Sequence, residues 1–262
     1  RIRLALSCVR QEPQSVLTRS MQNVVTFTAI DAFAAAGEGE EPITVADCIQ
    51  TRVYPSLAAA AQYAGESDAS YVAFSPEAVQ SGAKRMYVPS LDMPDPALDT
   101  LIEYTLENEI MLKVACGRTL EETGRIDTRF GKSPVMLLHA FGLLPYSEVV
   151  SGVYLDKDDL SLMAQEGVPL IALPTTDAGR GNGVAPVSAA LARGVRVRLG
   201  TGDGMFNRKR SVLREAAALR ILAAVQLNGQ NAESARELAK MCLEDGATDA
   251  QIAAAINALE MY

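Results

Sequence analysis

The chain has 262 residues, 48% of them hydrophobic and 5% aromatic, which is ample for one large core. A formal net charge of −8 argues against nucleic acid and anionic membrane surfaces as partners. No apolar run approaches the roughly 20 residues of a membrane span, and the opening RIRLALSCVRQEP lacks a full leader pattern, so the expected location is the cytoplasm. Four scattered cysteines, Cys8, Cys48, Cys116 and Cys242, form no CxxC pair, which argues against a disulfide framework or a structural zinc site. A single histidine, His139, weighs against a zinc hydrolase, because most such sites use at least two imidazoles.

In chain order, Ile2–Ser7 (IRLALS) reads as a first strand, and Ser15–Ala36 carries apolar residues at helical spacing. Ile43–Asp47 (ITVAD) reads as a buried strand ending on a carboxylate, and Ser56–Tyr63 as a helix. Tyr71–Phe74, Met86–Val88 and Met111–Ala115 are further strands, separated by helices at Pro76–Ser81 and Pro96–Asn108. Gly131–Gly142 reads as a helix. Glu148–Leu155, Val168–Leu173 and Val195–Gly200 then alternate with helices Lys157–Glu166 and Pro186–Arg193. The first of these helices opens on Asp156, Asp158 and Asp159 and stops at Gly167, as unpaired amides at a helix start and a left-handed exit require.

Eight such units over residues 1–204 predict a (β/α)8 TIM barrel, followed by C-terminal helices over 205–262, all in one domain. These helices are expected at Arg210–Leu227, Ala232–Leu243 and Asp249–Leu259. They offer a surface for a homo-oligomer.

Reactive groups of such a barrel sit at the carboxyl ends of its strands. There the chain places Asp47, Ser90, Asp92, Lys113, Cys116, Ser151, Tyr154, Thr175, Asp177, Thr201 and Asp203. Hydroxyls, carboxylates, a lysine and a thiol are present without an imidazole. A metal held here would be oxygen-coordinated, and the expectation is that no cofactor is held.

The segments LLHAFGLL, VVSGVYLDKDDLSLMAQEGVPLIALPTT and GNGVAPVSAALARGVRVRLGTGDG resemble the amidohydrolase superfamily, nearest its cytosine deaminase, guanine deaminase and chlorohydrolase branch. The resemblance covers Met86 to Gly204 well, with MLKVAC matching the strand that carries HxxE, and is weaker before it. It implies a barrel and a metal-activated water, with a β-sandwich that this chain is expected to lack. The metal-site residues do not carry over. The fifth-strand histidine falls on Lys113 and its glutamate on Cys116. The sixth-strand histidines fall on Ser151 and Tyr154, and the eighth-strand aspartate falls on Gly202, one residue before Asp203. The first-strand HxH pair meets LSCVRQEP.

Each candidate has two readings. Lys113 is either a functional cation facing Asp203 or half of a structural ion pair filling an abandoned site. Cys116 is either a thiolate nucleophile beside Lys113 or an inert buried thiol. Tyr154, Thr175, Thr176, Asp177 and Arg180 either hydrogen-bond a small polar ligand or are ordinary loop residues. His139 reads as a structural helix residue. Two functions follow: a non-catalytic small-molecule or partner-binding homologue, or a hydrolase or deaminase of a small amide, amine or nitrogen heterocycle. The second would rely on Lys113 and Asp203 with Asp47 or Cys116, and a divalent ion on Asp47, Asp92 and Asp203 would favour it.

Overall fold

The computed structural model describes residues 29–36, 48–63, 70–226 and 234–260. Eight parallel strands follow one another around a single sheet. They are β1 Ala29–Ala35, β2 Cys48–Tyr54, β3 Tyr71–Ala73, β4 Arg85–Val88, β5 Met111–Cys116, β6 Ser147–Ser151, β7 Leu170–Ala172 and β8 Val197–Leu199. The ring closes just beyond β8. Ala35 N donates to Gly202 O at 2.7 Å, and Gly202 N donates to Phe33 O at 3.0 Å. The architecture is the expected (β/α)8 barrel.

Alternation along the strands sorts the side chains into two cores. On β5, Leu112, Val114 and Cys116 join the outer layer between strands and helices. Lys113 and Ala115 alternate with them and point into the barrel, as a period of two requires. The interior is apolar at mid-height, with Phe33, Val53, Val150, Ile171 and Leu173 packed together. At the closing seam the buried Asp31 accepts hydrogen bonds from Thr201 N at 2.9 Å and Thr201 Oγ1 at 2.6 Å. Arg210, itself buried, donates to the carbonyls of Gly202 and Ala35, so one guanidinium ties both sides of the seam.

The helices on the outside are α1 Leu57–Tyr63, α2 Pro76–Gln80, α3 Asp95–Asn108, α4 Leu120–Phe130, α5 Pro134–Ala140, α6 Lys157–Glu166, α7 Pro174–Gly179 and α8 Val187–Ala192. Three more follow the barrel: α9 Val212–Gln226, α10 Ala235–Met241 and α11 Asp249–Leu259. α6 has the predicted bounds. Asp156 caps its first amides, Asp159 in return accepts from Asp156 N, and Gly167 leaves at φ 69°.

Several expectations are corrected. Ala29–Ala35 is a strand, although it lies in the Ser15–Ala36 stretch of helical spacing; pairing with β2 and the Asp31–Thr201 contacts override the helix preference of its alanines. β2 occupies Cys48–Tyr54, after the strand expected at Ile43–Asp47; that segment, Asp47 and Ile2–Ser7 lie outside the described residues. α4 is an added helix. Its sequence LEETGRIDTRF buries only Glu122 and Ile126, too thin an apolar stripe to register. The helix expected over Gly131–Gly142 begins only at Pro134, behind the Ser133 cap. Among the described residues no helix is long and apolar enough to cross a membrane.

Candidate functional site

The carboxyl ends of the strands surround a pocket of about 540 Å³. Its floor is made by strand residues Phe33, Tyr87, Ala115 and Val150, with Leu173 following β7. Phe33 and Tyr87 meet edge to face with ring centroids 5.0 Å apart. The end of β6, helix α7 and the loops beyond the strands supply polar groups above this floor: Arg118, Thr119, Ser151, Thr176, Asp177, Arg180, Asn182 and Asp203.

Two carboxylates line the pocket, and both are engaged. Asp177 is buried and accepts from Ser151 Oγ at 2.8 Å and from Asn182 Nδ2 at 3.1 Å. Burial pushes its carboxyl above the usual range; the Asn182 and Ser151 hydrogen bonds and the charges of Arg118 and Arg180 only partly offset this. Asp203 takes a two-pronged contact from Arg180, through Nη2 and through Nε at 3.1 Å. Burial raises the Asp203 carboxyl, but Arg180, the Met205 amide and the charge of Arg210 outweigh it and hold it below the usual range. Ser151 ends β6 at φ 74°, in the left-handed region, and this turns its hydroxyl toward Asp177.

Lys113 is not in this pocket and does not face Asp203. It lies buried lower in the barrel, where Nζ pairs with Glu148 and sits 4.8 Å above the Tyr71 ring. Arg198 shares Glu148 at 3.6 Å. Burial lowers the lysine's pKa against the pull of Glu148. The residue three positions below the end of β5 simply points inward beneath Ala115. Cys116 points outward into the helix layer, fully buried, with its thiol pushed well up by burial, which suits an inert thiol.

The other candidates are also placed. Ser151, Asp177 and Asp203 line the pocket. Thr201 is held at the seam by Asp31, and Thr175 is held by Glu215 through its amide at 2.9 Å and its hydroxyl at 2.6 Å. Ser90 Oγ accepts from Asp92 N, and Asp92 pairs with Arg125, so neither joins the lining. Tyr154 is exposed outside it. Sequence reasoning missed Arg118 and Thr119, which stand just past the end of β5, and Asn182, which follows α7. The offset of a loop residue from the end of its strand is the signal that finds them.

Gly202 occupies a tight place. Its φ is 63°, and a Cβ there would overlap Thr176 Oγ1. Gly202→Ala is therefore expected to cost about 2–4 kcal/mol, from the left-handed backbone and the overlap together. A thermal melt reads this directly, and Thr176→Ala in the same chain should recover part of the loss. An unchanged midpoint for the single variant would sink this account.

No family model matches the chain. Over 151 residues it is 30% identical to a 5-methylthioadenosine/S-adenosylhomocysteine deaminase of Thermococcus kodakarensis, covering 57% of this chain and 36% of the relative. It is 35% identical over 99 residues to the 5-methylthioadenosine/S-adenosylhomocysteine deaminase 2 of Archaeoglobus fulgidus, covering 37% of this chain and 24% of the relative. Its barrel superposes on guanine deaminase from C. acetobutylicum with a TM-score of 0.62 at 15% identity, over 74% of this chain and 56% of that one. It does so on atrazine chlorohydrolase from Arthrobacter aurescens with 0.57 at 19%, over 79% and 49%. The chain is thus similar in sequence to these deaminases and shares its barrel fold with guanine deaminase and atrazine chlorohydrolase. It spans about a third of the length of the deaminases first matched.

Amidohydrolase chemistry implies a metal, and the described residues do not make a site for one. Among them no three His, Cys, Asp or Glu side chains come together. The two pocket carboxylates already accept hydrogen bonds, and two guanidinium groups share the lining with them. A divalent cation requires several free anionic or imidazole donors and is repelled by such cations.

Proposed function

We propose that this amidohydrolase-like barrel binds a small molecule in the pocket at its strand ends, and that it does so without the metal-hydroxide hydrolysis of the amidohydrolase superfamily. One observation supports this most: the polar lining consists of arginines, engaged carboxylates, hydroxyls and an amide, with no imidazole. Such a set orients and holds a polar ligand, but it has no group that generates a hydroxide at neutral pH. A cytoplasmic location suits the chain, since Cys48, Cys116 and Cys242 are free thiols. The net charge of −8 suits partners other than nucleic acid or membrane.

A second reading is a deaminase acting on a small nitrogen heterocycle, favoured by the names of the relatives, 5-methylthioadenosine/S-adenosylhomocysteine deaminases. One experiment separates the two. Purified, dialysed protein is analysed for transition metals and assayed for ammonia release from 5-methylthioadenosine and S-adenosylhomocysteine. Metal below stoichiometry and no turnover, with or without added zinc, is the expected result. Stoichiometric metal with turnover would replace the first reading by the second.

A further inference from the structure

We infer that the pocket is built for a planar carboxylate carried on an aromatic or heteroaromatic ring, and that Arg118 is the residue that engages it. This rests on the reading of the pocket as a small-molecule site.

The two guanidinium groups of the lining differ in what they are free to do. Arg180 spends Nε and Nη2 on Asp203. Arg118 donates no hydrogen bond to any described residue, and its ion partner Glu122 stands 3.9 Å away, beyond hydrogen-bond distance. Glu122 is itself buried, and neither of its carboxylate oxygens has a hydrogen-bond partner among the described residues. It balances part of the Arg118 charge, and the guanidinium keeps its donors unspent among the described residues at the pocket lining. Arg118 lines the pocket together with the aromatic pair Phe33 and Tyr87 and with Asp177. A guanidinium fork matches a carboxylate in plane and spacing.

The rest of the pocket suits the remainder of such a ligand. Phe33 and Tyr87 present an aromatic wall, and Ala115 and Leu173 widen the apolar surface beside it. The volume of about 540 Å³ admits one ring system with substituents. The nearby carboxylates do not oppose an anion strongly. Arg180 neutralises Asp203, and Asp177 is held by Ser151 and Asn182 and shifted toward its neutral form by burial. A cationic ligand would have to sit against both arginines.

The test uses three isosteric probes, benzoate, benzamide and benzamidine, titrated calorimetrically into the whole chain. Benzoate is expected to bind at least about tenfold more tightly than either of the others, and less tightly as salt is raised. Arg118→Gln should weaken benzoate about tenfold or more with an unchanged circular dichroism spectrum, and Arg118→Lys should restore part of the loss. Preference for benzamidine or benzamide overturns the inference while leaving a small-molecule pocket in place. So does benzoate binding that is indifferent to Arg118→Gln. If none of the three binds, the inference falls, and metal content with ammonia release then decides whether the metal-free reading falls with it.

Discussion

Glu148→Ala is expected to destabilise the barrel by about 3–4 kcal/mol, because it leaves two cations facing each other inside the barrel without a counter-charge. Lys113 is almost fully buried and Arg198 approaches the same carboxylate, so Glu148 is the shared anion of a three-membered cluster. Lys113→Met removes one of the two cations and leaves Glu148 still paired with Arg198. Its cost should be smaller, about 1–2 kcal/mol, part of it recovered by the apolar methionine beside the Tyr71 ring. Denaturant titration of both variants tests the order of the two effects. A larger loss for Lys113→Met would refute charge balance as the organising factor. Neither variant should alter ligand binding by the folded protein, since the cluster lies below the pocket.

The second large effect concerns the seam. Asp31→Ala strips three hydrogen bonds from the closing strands, those from Thr201 N, Thr201 Oγ1 and Phe33 N. Leaving buried donors unpaired there should cost about 3 kcal/mol. Asp31→Asn keeps acceptor and shape and should retain most of the stability. Burial lifts the Asp31 carboxyl above its usual range, and the Thr201 and Phe33 hydrogen bonds and the Arg210 charge do not cancel that shift. Asp177 and Glu215 are lifted by burial as well. A carboxyl whose pKa is higher folded than unfolded holds a proton that the unfolded chain gives up. Its contribution to stability therefore falls as pH rises from the unfolded value through the folded one. The midpoint of thermal unfolding should climb as pH is lowered toward the ordinary carboxylate range, and Asp31→Asn should flatten that slope. Relief of general charge repulsion has the same sign, so the comparison with the variant isolates Asp31. A slope that Asp31→Asn leaves untouched would count against this assignment.

The barrel was legible because most of its later half obeys local rules, α4 being the exception. Acidic starts, glycine stops and short apolar runs from Met111 to Gly200 mark strands and helices that the structure places within a few residues. The first strand was not legible. AIDAFAA carries a helix-forming composition, and only its partners distant in sequence, β2 and the Thr201–Gly202 segment, make it a strand. The site was legible in part. Ser151, Asp177 and Asp203 follow from the rule that function sits at strand ends. Lys113 misled because that rule locates a strand end only to within a few residues, and three residues along a strand is about 10 Å. Cys116 misled through the period of two, which turns its side chain away from the interior. Arg118 escaped because nothing in a sequence distinguishes an arginine with idle donors from one already paired.

The segment from Gly200 to Arg210 gives the barrel a particular mechanical character. Gly202 and Asp203 are wall residues of the pocket, and Gly202 is also the clasp that joins the last strand to the first. Recognition and closure are thus carried by the same few peptide groups. Occupancy of the pocket adds its binding free energy to the work of opening the ring, in proportion to the logarithm of ligand concentration once the site is filled. The ligand is in this sense a hoop around the staves, and the empty barrel is the one that can come apart.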